Sequence, residues 1–346
     1  MNQSTENRFI QLDLLRIFSA FCVVLLHASA HIFCNTPAVS GSWLIANAYN
    51  IFSRVSVPIF VMISGSLFLA PDKETDIRKL YLSHIFRMFF LYLEWSVFYT
   101  ILSDFSNNHA LGSLKSYLKR LFPGRYHLWF LPMIICIYIL LPLLRRLVHS
   151  ATRKELHYFF ALFFVFQVLV RTGRAFTDHP VINEFFNLFD VELVCSYIGY
   201  FVLGYYLSHI GISETLKKRL WIAFPFCYLI NNLLSILLNR QSGSPSGEVF
   251  DSFGLFTFIS VIAVYTFAIS HKRSIKKEHF WTELSKSTLG VYLMHLAILE
   301  SPIFMGFLYQ VHPLISIPLV SAGVFLTSLA LSACLRRIPV IGRFLC

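Results

Sequence analysis

Charged residues are scarce in this sequence. Only 14% of its 346 residues are Asp, Glu, Lys or Arg, whereas 56% are hydrophobic, and the mean hydropathy is +0.63. A soluble domain carries roughly a quarter charged residues, so this composition excludes that class. We therefore expect the chain to have the lipid bilayer as its solvent.

The sequence also lacks a CxxC pair, an internal repeat and a long linker rich in Gly and Ser. Most of its seven cysteines lie in apolar segments, where they act as small hydrophobic residues and do not indicate a disulfide framework or a metal site. We expect one membrane domain over residues 1–346, with an N-terminal tail of about 1–11, a C-terminal tail of about 336–346, and no metal or bound cofactor.

Long apolar runs are abundant, and each is close to the roughly 20 residues that cross a bilayer. Backbone amides in lipid need internal partners, so these runs predict helices and an all-α fold of about ten transmembrane helices. The runs are 12–32, 51–70, 80–103, 127–148, 155–171, 191–210, 220–239, 253–271, 284–307 and 314–335.

The distribution of basic residues predicts the orientation. If the N-terminus is cytoplasmic, about 18 Lys and Arg residues lie on the cytoplasmic side and about 7 outside, which is the expected bias. Both termini are then cytoplasmic, and the loop with Asn107, Asn108 and Lys115 is outside. That loop is an exception, because it contains four basic residues. The net charge of +11 is spread between apolar runs and forms no polar basic face, so we expect no nucleic-acid partner.

Ionisable residues inside a span are costly and mark functional sites. The first span holds three, namely Asp13, Arg16 and His27. At about 100° per residue they share one helix face, and eleven residues put roughly 16 Å between Arg16 and His27. This spacing suits a long donor molecule with its phosphorylated end at Arg16 and its reactive end at His27. The alternatives are an interfacial arginine and a structural histidine. Asp13 is expected to pair with Arg16.

Four segments together resemble the acyltransferase 3 family of integral membrane acyltransferases, and they occur in family order. They are Arg16 and His27 separated by ten residues, Arg-Val-Ser-Val-Pro at 54–58 continuing to Phe-x-x-x-Ser-Gly at 60–65, Tyr-His-Leu-Trp-Phe-Leu-Pro at 126–132, and Gly-Val-Tyr-x-x-His at 290–295. The third span departs from the family pattern. Where family members often carry RxxR, this chain has His84-Ile85-Phe86-Arg87, so only Arg87 matches.

The resemblance implies transfer of an acyl group, most often acetyl, from cytoplasmic acyl-CoA to a hydroxyl of a surface or envelope glycan. The nearest type is the enterobacterial-common-antigen O-acetyltransferase, and the expected location is a bacterial inner or plasma membrane. His27 is the expected catalytic residue, and Arg16 and Arg87 are the expected acyl-CoA-binding residues. General-base catalysis and a covalent acyl-histidine both remain open.

Further polar residues are candidates for binding a glycan or lipid-linked sugar acceptor. Arg54 and His127 are expected at the outer membrane surface, and Trp129 can stack on a sugar. Ser64 beside Gly65 fits close helix packing or a polar site lining. Residues that we expect to be buried within spans complete the candidates: His295, Glu300 and Glu94.

Two other classes fit a polytopic chain. A transporter or flippase of an envelope metabolite usually shows inverted repeats and matching broken spans, and the sequence shows neither. A non-catalytic membrane component of an envelope assembly leaves the charged face of the first span without a purpose. Consumption of acyl-CoA by purified protein separates the enzyme from both.

Overall fold

A computed structural model describes residues 3–73, 76–107, 114–176, 192–247, 250–271 and 276–338. The described residues form helices joined by short turns, and no β-strand occurs among them. This confirms the all-α expectation. The helices used below are α1 (Gln3–Asn35), α2 (Gly41–Ser53), α3 (Ser56–Phe68), α4 (Phe86–Asn107), α5 (Leu114–Leu121), α6 (Phe130–Ser150), α7 (Arg153–Phe163), α8 (Glu192–Tyr205), α9 (Glu214–Ser242), α10 (Leu255–Ser270), α11 (Glu278–Lys286), α12 (Thr288–Leu299), α13 (Pro302–Gln310) and α14 (Pro313–Leu335).

Seven helical stretches among the described residues are long and apolar enough to cross a bilayer, or eight if α12 and α13 form one span. The axes of α12 and α13 differ by 70°, because the chain breaks at Ser301 and restarts with Pro302 in the first turn of α13. Helix α10 is apolar but shorter, with 16 residues. The protein is therefore a multi-pass membrane protein, whereas the count of ten spans stays a prediction.

Two boundaries differ from the sequence prediction. The predicted run 51–70 begins earlier, because α2 and α3 together form one span from Gly41 to Phe68. The polar side chains that lowered the hydropathy of this segment are satisfied within the protein: Asn47 Nδ2 donates to Asn232 Oδ1 at 3.2 Å. The expected N-terminal tail is helical from Gln3 onward and continuous with α1.

The predicted side of each terminus stays a prediction. In the loop predicted to be outside, Asn108 lies beyond the described residues, as do residues 339–346 of the predicted C-terminal tail.

Helices α3 and α8 pack with their backbones in close contact. A Cβ at Gly65 would overlap the carbonyl of Phe201, and a Cβ at Gly204 would overlap the backbone of Met62. Small residues commonly allow this approach between membrane helices. Gly65 is therefore required by packing, as one of the two sequence interpretations held.

We expect Gly65→Ala to lower the thermal stability of the detergent-solubilised protein, because the Phe201 backbone cannot yield as a flexible side chain would. Overpacking of this kind costs about 1–3 kcal/mol. Gly306→Ala is the matched control, since nothing lies within 4 Å of a Cβ at that helical position. Equal melting temperatures of the two variants would contradict this packing argument.

Candidate active site

Three histidines from distant parts of the sequence meet inside the helical bundle. The ring centroid of His27 lies 5.0 Å from that of His295 and 6.4 Å from that of His127, and the last two are 5.3 Å apart. His295 is completely buried and His127 is only 2% exposed. We call His27, His127 and His295 the histidine cluster. Imidazole can take up or release a proton near neutral pH, so the cluster is a candidate for proton transfer with a bound molecule.

Hydrogen bonds from two tyrosines hold the helices that carry the cluster. Tyr99 Oη of α4 donates to Leu293 O at 2.8 Å, and its ring centroid lies 4.9 Å from that of His127. Tyr292 Oη of α12 donates to His127 O at 2.5 Å. These bonds join α4, α12 and the 3-10 turn Tyr126–Trp129 that carries His127. Both tyrosines therefore help to fix the position of His127.

The two nitrogens of His295 have different environments. Its Nδ1 lies 2.7 Å from Tyr292 O and 3.2 Å from Val291 O, and both carbonyls can only accept a hydrogen bond. The proton of the neutral ring is therefore assigned to Nδ1. Nε2 is buried and has no hydrogen-bond partner among the described residues. This nitrogen is left as a free acceptor beside His27.

Arg16 lies eleven residues before His27 on the same continuous helix, which is roughly 16 Å along its axis. Its Nη1 contacts Asp13 Oδ1 at 3.3 Å, so the expected ion pair is present, and donates to Ser285 Oγ at 3.1 Å. Asp13 also accepts from Ser285 Oγ at 2.7 Å and from Thr282 Oγ1 at 3.0 Å. The amphipathic helix α11 thus braces the Arg16 end of α1.

A mostly apolar cavity of about 200 Å³ lies between Arg16 and Tyr292, a neighbour of the histidine cluster. Arg16, Ser64 and Tyr138 line it, and Tyr292 lines it next to the histidine cluster. The Tyr292 ring centroid lies 5.7 Å from that of His127. Ser64 Oγ donates within α3 to Phe60 O at 3.0 Å, so its hydroxyl proton is used by the helix itself. A narrow apolar passage with one cation near its end suits a thin, flexible chain with a charged end.

A second cavity, polar and of about 560 Å³, adjoins the first, because Phe68 lines both. Lys73, Lys79, His84 and Arg145 contribute basic side chains to its wall. Arg145 Nη1 donates to Phe68 O at 2.6 Å and so also satisfies the end of α3. Arg87, one turn after His84, has a buried Nε with no hydrogen-bond partner among the described residues. We call this space the basic cavity.

The structure corrects three sequence expectations about position. His127 is a buried member of the cluster and does not lie at the outer surface. Arg54 lies at the break between α2 and α3, in the middle of a span, where its Nε donates to Asn50 Oδ1 at 3.0 Å. Glu94 is exposed, although burial was expected. Sugar stacking by Trp129 stays a prediction, since its side chain is 45% exposed and its ring lies against that of Tyr197.

Two features of the site gave no signal in the sequence, namely the ion-pair partner of Glu300 and the position of Tyr99. Glu300 accepts from Arg125 Nη2 through both carboxylate oxygens, at 2.6 and 2.7 Å, where only an unspecified partner was expected. Tyr99 looked like any aromatic residue of a span, and its position behind His127 depends on tertiary packing.

No group of three or more His, Cys, Asp or Glu side chains is arranged to hold a metal ion in the described part of the chain.

Comparison with protein families gives one result that covers nearly the whole sequence. The family model Acyl_transf_3, described as an acyltransferase domain, matches residues 9–337. Searches of curated proteins and of solved structures find no match. The matched range includes the histidine cluster, the Arg16 end of α1 and both cavities.

Proposed function

Because the chain belongs to the acyltransferase 3 family, we propose that it transfers an acetyl group from cytoplasmic acetyl-CoA to a hydroxyl of an envelope or surface glycan. Family membership makes the protein an acyltransferase of the membrane, and the donor and acceptor are the proposal. The observation that carries it is the cavity that begins at Arg16 and ends at Tyr292, whose ring lies against His127 of the cluster. The expected location is a bacterial inner or plasma membrane.

The two adjoining cavities support coenzyme A as the donor. Coenzyme A has a phosphorylated nucleotide end and a thin pantetheine arm. The basic cavity, with Lys73 and Lys79 at its wall, suits the phosphates, and the apolar passage suits the arm. Arg16 and Arg87 are the other cations proposed to hold the donor. The thioester then lies beside the histidine cluster.

The chemistry assigned to His27 is the transfer of one proton. A sugar hydroxyl gives its proton to His27 as its oxygen attacks the thioester carbonyl, so that a C–O bond forms. The C–S bond then breaks, and the leaving thiolate takes the proton back as a thiol. The competing route forms an acyl-imidazole on His27 before the sugar attacks. In both routes the free Nε2 of His295 can orient the His27 ring by accepting a hydrogen bond from the second ring nitrogen of His27.

The test is loss and recovery of glycan acylation. Mass spectrometry of surface glycans from a deletion strain should show sugars lacking an acetyl group, and the parent gene should restore them. In purified protein, CoA should be released from acetyl-CoA when that deacetylated glycan is added. Lys217→Gln, which removes a charge paired with Glu214 on α9, is the control variant. Unchanged glycans in the deletion strain would contradict the acceptor, and glycan movement without CoA release would favour a transporter.

A further inference from the structure

A third cavity, of about 300 Å³, lies behind Tyr99, whose ring contacts His127 of the histidine cluster. It shares no lining residue with the cavity at Arg16. Tyr99, which lies behind His127, forms its inner wall, and Arg120 and Arg125 lie on its other walls. We call it the arginine cavity. A two-substrate enzyme requires a binding space for its second substrate that is separate from the donor's.

The loop that forms the arginine cavity is rigidly built. Gly124 has a positive φ of 65°, and a Cβ there would come within 2.8 Å of Ser96 Oγ of α4. Tyr92 Oη of the same helix donates to Phe122 O at 2.5 Å. Arg125 therefore follows a loop that packs against α4, whereas Arg120 projects from helix α5.

Both arginines keep donors that their ion pairs do not use. Arg125 binds both oxygens of Glu300 through Nη2 alone, and its buried Nε has no partner among the described residues. Arg120 binds both oxygens of Asp104 through its two Nη atoms, and its buried Nε is likewise without a partner. Buried donors without partners are costly, so they mark a position for an absent acceptor group.

The surrounding charge favours an anionic ligand. The segment that carries these arginines is the exception to the bias of basic residues toward the predicted cytoplasmic side. Its helix α5 adds the exposed Lys115 and Lys119, and neither forms an ion pair among the described residues. Basic residues on the predicted outer side oppose the usual orientation bias of membrane proteins. They also attract negatively charged ligands to that side.

Arg125 also connects the cavity to the proposed base. Its guanidinium lies 5.4 Å from the ring centroid of Tyr126, and the Tyr126 ring lies 5.6 Å from that of His27. Tyr126 is 55% exposed, so this side of the cluster is accessible. A group held at Arg125 is thus one side chain away from His27.

We propose that the arginine cavity binds the acceptor, and that the acceptor is an anionic glycan whose carboxylate or phosphate group contacts Arg125 and Arg120. This rests on the proposed acyl transfer and goes beyond it by giving the acceptor a charge. The anionic group fixes the sugar so that a neighbouring hydroxyl faces His27. The ion pairs with Glu300 and Asp104 hold the guanidiniums in place before the glycan arrives.

The probes are cellotetraose and the same tetrasaccharide with its primary hydroxyls oxidised to carboxylates. The parent protein in phosphatidylcholine nanodiscs should bind the carboxylated probe more tightly. Arg125→Gln should weaken that binding about 10- to 100-fold, the loss expected for charge-assisted hydrogen bonds, without changing the binding of acetyl-CoA. Glu300→Gln should tighten it, because the guanidinium then loses its competing carboxylate.

The pair of variants separates recognition from structure. If Arg125 only holds the fold through its ion pair, Arg125→Gln and Glu300→Gln should lower the melting temperature and probe binding alike, and the proposal would be wrong. Lys217→Gln, which removes a surface charge paired with Glu214 on α9, is the control for general charge effects.

Two further outcomes would overturn the proposal. One is a parent protein with no preference between the probes. The other is an Arg125→Gln defect that appears only when phosphatidylglycerol is present in the nanodiscs, which would identify a lipid headgroup as the ligand. Acylation of glycan from the deletion strain is measured with the same protein. A protein that acylates this glycan but does not prefer the carboxylated probe would contradict the anionic acceptor and leave the proposed acyl transfer intact.

Discussion

His27→Gln should lower the kcat of acyl transfer by about two decades or more while the donor KM stays close to that of the parent. Glutamine can hydrogen-bond in the place of a structural histidine, but it does not accept a proton at neutral pH. The substitution therefore removes the proposed chemistry and keeps much of the packing around His295. Steady-state rates of CoA release at saturating glycan measure the effect.

His31→Gln is the matched control, since His31 lies one turn further along α1 and its ring contacts neither His127 nor His295 among the described ring pairs. We expect it to retain a rate within a few-fold of the parent rate. A His27→Gln protein that inserts normally and turns over as fast as the parent would show that His27 is structural. The catalytic role would then pass to His295 or be abandoned.

Arg16→Ala should raise the KM for acetyl-CoA by roughly one to two decades, because charge-assisted bonds to phosphate are each worth about 1.5–3 kcal/mol. Lysine at this position should restore only part of the affinity, since it keeps the charge and loses the planar guanidinium. Asp13 keeps its bonds from Ser285 and Thr282 in these variants, so a stranded carboxylate does not confuse the result.

Arg337→Ala removes an exposed arginine beyond α14 and should leave the donor KM unchanged. The informative comparison is between KM and kcat for position 16. If Arg16→Ala reduced kcat and left the donor KM as it was, Arg16 would act in the chemistry or in positioning α1, and the assignment of donor binding would be wrong.

The sequence predicted the positions of the spans well where a long apolar run coincides with a helix. The prediction was worse where polar side chains within a span are buried against other helices and do not face lipid. Asn47 and Asn50 lower the hydropathy of α2, yet both are buried. Asn47 hydrogen-bonds to α9 and Asn50 to α1, so the span starts ten residues before the apolar run. Pro302 was a visible helix-start signal, but the apolar composition on both sides of it made 284–307 appear to be one span.

The site was predictable only within single helices. Asp13, Arg16 and His27 share one face by helical spacing, and the structure keeps them on it. His127 and His295 come from segments far apart in sequence, and their approach to His27 depends on how α12 and the 3-10 turn pack. No local pattern marks Tyr99 as the residue behind His127, and no local pattern pairs Arg125 with Glu300.

The uninterrupted course of α1 between Arg16 and His27 makes the number of intervening residues a geometric requirement. One inserted residue would rotate His27 by about 100° away from Arg16 and out of the cluster. Seven inserted residues would nearly restore the direction, since they complete almost two turns, but would lengthen the rod by roughly 10 Å. If Arg16 and His27 hold the two ends of one donor as proposed, the function depends on the register of this helix as much as on the two side chains.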